Sequence, residues 1–275
     1  MTKLLLLSIN LLLGTALTYP AQARPHHFQN GQLQRSGSFQ NSRGGQGTFS
    51  QSYRHSPGST SGTSTYQGAN GHGFTHTFNN NWNTSTGTGT HEASTTYNNG
   101  KTSSSQGTTT RTAPGDFSYT GTHTGANGQT TDVGRTSTFN ASTDTRTVDS
   151  TYTNPATGQS STVDKTTTFD PSVGTRTVDK TATGPNGQAV TSNQTFTRTN
   201  DGYTRTGTVT GPNGKTADDQ STVTYTKDPN GEITRTQTTE VTGANGQQHT
   251  GSNTETYTRT FTPATTTPVG NSADQ

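Results

Sequence analysis

The sequence predicts an all-β fold, a repetitive antiparallel meander of hairpin units about 29 residues long. Three observations predict it. A turn word returns at a near-constant interval, Thr alternates with a period of two, and large apolar residues are too few for an ordinary globular core.

The turn word is clearest at Gly184-Pro185-Asn186-Gly187. The closing glycines of its relatives are Gly71, Gly100, Gly128, Gly158, Gly187, Gly214 and Gly246, at intervals of 29, 28, 30, 29, 27 and 32 residues. Pro presets φ, Asn caps its own backbone and Gly accepts positive φ, so each word is a turn. A second turn former lies midway through the later units, at Asn140–Asp144, Asp170–Gly174, Asn200–Gly202 and Asp228–Gly231. Each unit therefore reads as turn, strand, turn, strand.

Between the turns the period is two. Thr175, Thr177, Asp179, Thr181 and Thr183 share one parity, against Arg176, Val178, Lys180 and Ala182 on the other. The next unit sets Thr204, Thr206, Thr208 and Thr210 against Tyr203, Arg205, Gly207 and Val209. Such alternation is that of strands, and β-branched Thr suits a pleated surface where hydroxyls can bond across strands. A β-solenoid is the alternative to the meander. Arg146, Arg176, Arg205 and Arg235 recur at 30, 29 and 30 residues. Stacked coils would place these like charges about 4.8 Å apart, whereas a meander puts a strand between them at about 9.6 Å. The meander is the expected form. Its register stays open, because the second turns differ in length and a slip of one residue exchanges the faces.

From Arg24 onward the chain has one Leu, one Ile, ten Val and ten Phe in 252 residues. That is far below the level, roughly 20%, at which a globular core becomes affordable. Cys is absent, which removes disulfides, thiolate zinc sites and thiol nucleophiles. Order must come from ladders, turns and rows of side chains.

Four segments follow. Residues 1–23 read as a secretory signal peptide: Lys3, an apolar run from Leu4 to Leu17, and Ala21-Gln22-Ala23 as the cleavage site. Residues 24–65 read as a basic, Gln/Ser/Gly-rich leader without fixed structure, residues 66–262 as the Thr-rich β-repeat region, and residues 263–275 as a loose Thr/Pro tail. No later stretch is apolar enough for a transmembrane segment. All acids lie from Glu92 onward, so the cations of the leader face none nearby in sequence. Arg24, Arg35, Arg43 and Arg54 are the candidate contacts for anionic envelope polymers or polysaccharide. Four Arg so spread predict no specific nucleic-acid binding.

No catalytic, cofactor-binding or metal constellation is legible, and a non-enzymatic protein without cofactors is expected. His26, His27, His55, His72, His76 and His91 read as a soluble His-rich tract. Asp228-Pro-Asn-Gly-Glu232 reads as a plain β-turn, since it lacks the spacing of a calcium loop. The recurrent Thr-Gly-Pro-Asn-Gly words between about Tyr66 and Thr262 resemble those of Thr/Gly-rich tandem-repeat proteins secreted by bacteria, a resemblance that implies no activity or site.

The expected function is a secreted structural or adhesive protein of the cell envelope or extracellular matrix, located in the periplasm, at the cell surface or outside it, with self-association open to it. A binding module using a Thr-rich face, toward carbohydrate or ice, is the alternative. A secreted accessory protein of unknown partner is a further one.

Overall fold

A computed structural model describes residues 30–263. Residues 1–23, expected as a signal peptide, Arg24, His26, His27 and residues 264–275 of the expected tail lie outside the described residues. Every regular element among those described is a strand. The first eight are β1 (Gly31–Asn41), β2 (Gln46–Ser56), β3 (Ser59–Gly68), β4 (Gly73–Asn83), β5 (Thr88–Tyr97), β6 (Thr102–Ala113), β7 (Asp116–Thr124) and β8 (Thr130–Asn140). The second eight are β9 (Thr145–Thr153), β10 (Ser160–Asp170), β11 (Thr175–Thr183), β12 (Ala189–Arg198), β13 (Gly202–Thr210), β14 (Thr216–Lys227), β15 (Ile233–Thr242) and β16 (Gln248–Pro263). Each pairs antiparallel with its chain neighbours, and β1 pairs with β16, so the meander closes into a barrel. The solenoid is not the architecture.

Residues 31–65, expected as an unstructured leader, form β1, β2 and most of β3. Their alternation is written in Gln, Ser and Gly rather than Thr, but it serves the same ladder. Asn41-Ser-Arg-Gly44 is one more turn word, 27 residues before Gly71. Pro263, expected in the tail, is the last residue of β16, where it stands opposite Gly31.

The turn words all lie at one rim of the barrel. In the GPNG turn, Gly187 N–H donates to the Gly184 carbonyl at 2.9 Å, and Gly184 N–H donates to the Gln188 carbonyl at 2.9 Å. Gly187 has φ of 75° and a Cβ there would meet nothing within 4 Å, so positive φ alone requires the glycine. In the related words the Asn side chain supports the turn, as where Gln247 N–H donates to Asn245 Oδ1 at 3.2 Å. Asp144, at the other rim, holds φ of 46° where the next hairpin has Gly174.

Carried round the barrel, the registers accumulate a shear of about 20 residues over the sixteen strands. That corresponds to a strand tilt of ~40° and a backbone diameter of roughly 32 Å. One parity of every strand carries Phe, Tyr, Val, Arg, Lys and His. The other carries Thr, Ser, Asn, Gln and most of the acids.

The apolar and cationic face is the concave one. Trp82 on β4 and Phe117 on β7 bring their ring centres to 6.0 Å although two strands separate them. Their backbones stand about 14 Å apart. Tyr53 and Phe78 meet at 6.0 Å over Gly62 of β3, where a Cβ would come within 2.6 Å of Phe78 and 2.7 Å of Tyr53. Side-chain tips converge like this only inside a curve. The same crowding leaves Val223 1%, Tyr257 4% and Phe49 5% exposed in a wall one strand thick. Outside, Thr pairs bridge neighbouring strands, as between the hydroxyls of Thr145 and Thr168 at 3.1 Å.

Candidate functional site: a cationic lumen wall

The word Thr-Val-Asp-Lys occurs in β10 (Thr162–Lys165) and in β11 (Thr177–Lys180). Alternation sends Val and Lys to the lumen and Thr and Asp outward. The registers then place like beside like. Lys165 stands opposite Lys180 inside, and Asp164 opposite Asp149 outside. Like charges directly opposed destabilise a sheet, so neither pairing arises from folding stability.

Arginines continue the pattern inward. Arg146, Arg176, Arg205 and Arg235 lie on β9, β11, β13 and β15, each two ladder steps from the next, as a meander requires. Arg135 on β8 and Arg111 on β6 share the lumen face. Most guanidiniums rest on rings of adjoining strands. Arg176 lies 4.2 Å from the Phe196 ring centre, Arg146 5.4 Å from Phe139 and Arg135 6.0 Å from Tyr119. Stacking of this kind holds a long cation in place without neutralising it.

Two arcs of the lumen differ. Across β13–β16 and β1, acids are present. Arg205 meets Asp219 at 2.6 Å, Arg35 meets Glu255 at 2.9 Å and Arg235 reaches Glu255 at 3.6 Å. Burial disfavours the Arg235 cation, but Glu255 and the Tyr225 and Tyr203 hydroxyls outweigh it and hold its pKa above the usual value. Across β8–β12 no Asp or Glu has the lumen parity. There burial pushes the Lys165 ammonium below its usual pKa, helped by Arg176, Lys180 and Arg135. Burial also lowers Arg176, whose Nε is buried without a hydrogen-bond partner. Buried Ser150 takes the Arg135 Nε–H at 3.2 Å, and Ser137 takes Arg146 at 2.7 Å. These hydroxyls orient the guanidiniums and leave their charge free.

No family model, curated protein or solved structure matches the chain.

The arginines expected to form a surface contact do not gather. Arg24 lies outside the described residues. Arg35 is in the lumen, its guanidinium 3.7 Å from the Tyr257 ring and paired with Glu255, 220 residues away in sequence. Arg43 sits in the first turn, and Arg54 has the outward parity. The leader cations have no acid nearby in sequence, but closure brings β16, with Glu255, alongside β1. The cations that do gather were visible in sequence as Arg at intervals of about 29 and as the repeated Val-Asp-Lys. What was missing was the sign of curvature.

The remaining features offer less chemistry. Phe39, Tyr66, Phe74 and Tyr97 line a groove of about 570 Å³ beside the first three turn words, with Asn70 and Asn98 at its rim. His91 Nδ1 bonds Asn80 Oδ1 at 2.6 Å, and His76 Nδ1 bonds Thr95 at 2.9 Å, so both are held by strand neighbours. No group of three or more metal-ligating side chains occurs among the described residues. Asp228 takes the Glu232 N–H at 2.8 Å within its own turn.

Proposed function

We propose that the protein is a non-enzymatic, exported β-barrel of the cell envelope or extracellular matrix, acting through its wall rather than through a catalytic pocket. The observation that carries this reading is the segregation of charge across one layer of backbone. Apart from Arg54, the Lys and Arg of the strands have the lumen parity, while Glu92, Asp132, Asp149, Asp164, Asp179 and Asp218 have the outward parity among Thr. A general acid or base needs a pocket with paired, shifted groups, whereas this wall is a repeated pattern in which each hairpin restates the last. Among the described residues the Thr-and-acid outer face has no apolar band or aromatic girdle, so it suits water rather than lipid. The signal-peptide pattern of residues 1–23 supports export.

Fractionation of cells and medium tests the reading. The mature chain, beginning at Arg24, is expected to stay with the envelope or matrix and to wash off with salt. Full recovery from the cytoplasm, or a freely diffusing protein in the medium at low salt, overturns it. The ice-binding form of the alternative fits poorly. Thr rows on a convex barrel do not make the flat lattice that ice requires, and thermal hysteresis is expected to be absent.

A further inference from the structure

We infer that the lumen arc formed by Arg135, Lys165, Arg176 and Lys180 is a binding site for a carboxylated polysaccharide chain. This deepens the envelope reading and rests on it for the polymer's presence, but the site can be tested on its own.

Four features of the arc point to such a ligand. The cations come from three strands, β8, β10 and β11, and no carboxylate shares their face from β8 to β12. Lys165 and Lys180 oppose each other directly, an arrangement that an intervening anion would relieve. The lumen has room. Subtracting side chains from a backbone diameter of roughly 32 Å leaves a passage of roughly 20 Å, wide enough for one hydrated glycan strand.

The fourth feature separates a glycan from a single-stranded nucleic acid. Nucleic-acid grooves combine cations with open aromatic faces on which bases stack. Here guanidiniums already lie over the rings, Arg176 on Phe196 at 4.2 Å and Arg146 on Phe139 at 5.4 Å. Beside these covered rings the arc offers charge with hydroxyl and amide groups such as Thr167, Ser192 and Gln194, which have the lumen parity on β10 and β12. Uronate carboxylates match the cations and sugar hydroxyls match these groups. Arg205, Arg235 and Arg35 are engaged by Asp219 and Glu255, whereas no acid of β8–β12 faces the cations of this arc.

The experiment measures binding of the purified mature chain to alginate oligomers by calorimetry. Neutral dextran and a thymidine homopolymer of equal charge are the comparators. Alginate is expected to bind, with affinity falling steeply between about 50 and about 300 mM salt. Dextran and the homopolymer are expected to bind at least roughly tenfold more weakly. Changing Arg135, Lys165, Arg176 and Lys180 together to Gln should reduce alginate affinity roughly tenfold or more, with the far-ultraviolet dichroism unchanged. Changing Arg43 and Arg54 to Gln should leave affinity as it was. If the fourfold variant fails to fold, the pair Lys165→Gln and Lys180→Gln, which removes a repulsion, gives the same test.

Unchanged alginate affinity in a folded lumen variant overturns the inference. So does equal binding of the homopolymer, which points to a nucleic-acid channel, or of dextran, which removes charge from the recognition. The two readings fail separately. A protein that binds no alginate yet fractionates with the envelope loses the lumen site only. One that binds alginate yet diffuses freely in the medium loses the envelope reading only.

Discussion

Removing one whole hairpin should leave a smaller closed barrel. Deleting Gly184–Thr210 takes out β12 and β13 and joins Thr183 to Gly211, so that the Gly211–Lys215 turn links β11 to β14. Thr183 then takes the place of Thr210, which pairs with Thr216. Followed along the strand, this register keeps Thr outward, sets Arg176 opposite Val223 and brings Lys180 opposite Asp219. Asp219 thus loses Arg205, its partner at 2.6 Å, and gains an ammonium. The stacking of Arg176 on Phe196 is lost as well.

With fourteen strands the accumulated shear becomes about 18, so the tilt stays near ~40° and the diameter falls from roughly 32 Å to roughly 29 Å. The exchanged ion pair and the lost stacking together cost about 1–2 kcal/mol. For a domain of this size that lowers Tm by roughly 2–8 °C. Small-angle scattering should show a monomer whose radius of gyration is smaller by about 1 Å, with β dichroism per residue unchanged. A chain stopped after Thr242 is the contrast. It lacks β16 and leaves β1 and β15 running in the same direction, unable to form the antiparallel seam. Two open edges should drive it into oligomers. If the hairpin deletion polymerises or unfolds as the truncation does, closure depends on particular neighbours and not on an even strand count with a consistent register.

Other outcomes follow from single groups. Lys165→Met should raise Tm by roughly 1–3 °C at neutral pH, because it removes a partly desolvated cation opposed by Lys180. The folded state holds the Lys165 pKa below 10.5, so its proton costs stability at neutral pH. Raising the pH toward 10.5 should therefore stabilise the parent relative to this variant, and a variant advantage that is constant with pH refutes the assignment. His91 is depressed by burial, and by His76, below 6.5. The unfolded chain then takes up the proton first, and stability is lost as pH falls through 6.5. His91→Gln should remove that component, read as a smaller loss of Tm between about pH 7.5 and about pH 5.5. Gly187→Ala meets no steric contact but must hold φ of 75°, so it should cost about 1 kcal/mol in urea unfolding. Asp144→Gly should be neutral or slightly stabilising, and a clear loss would show that the Asp side chain supports its turn.

The hairpin pattern was legible because it is local. Asn-Gly and Pro-Asn-Gly words specify turns through the conformations those residues allow, and the turn at Gly187 forms where its word predicts. Alternation likewise assigned Arg176, Val178 and Lys180 to one face and Thr175 and Thr177 to the other, as the ladder with β12 places them. The strands of residues 31–65 were less legible because alternation there runs through Gln, Ser and Gly, whose strand propensity is weak. Phe39, Phe49 and Tyr53 nevertheless share one parity, and Gly44 keeps the period. Both were signs of the barrel's first hairpin.

Closure, curvature and the charge of the lumen belong to the tertiary structure. Closure rests on β1 and β16 meeting from opposite ends of the repeat, and the sum of fifteen connections decides whether they arrive in register. A single strand pair carries no information about that sum. Curvature then decides which parity is crowded. Only on the concave side can Trp82 reach Phe117 over two strands, and only there do Arg135, Lys165, Arg176 and Lys180 converge instead of dispersing into solvent. The sequence by itself determined the alternation of two chemically distinct faces, because side chains in a strand point alternately to either side. Which face became the inside was decided by the twist and closure of the whole sheet, which bends every strand by interactions with strands far away in the chain.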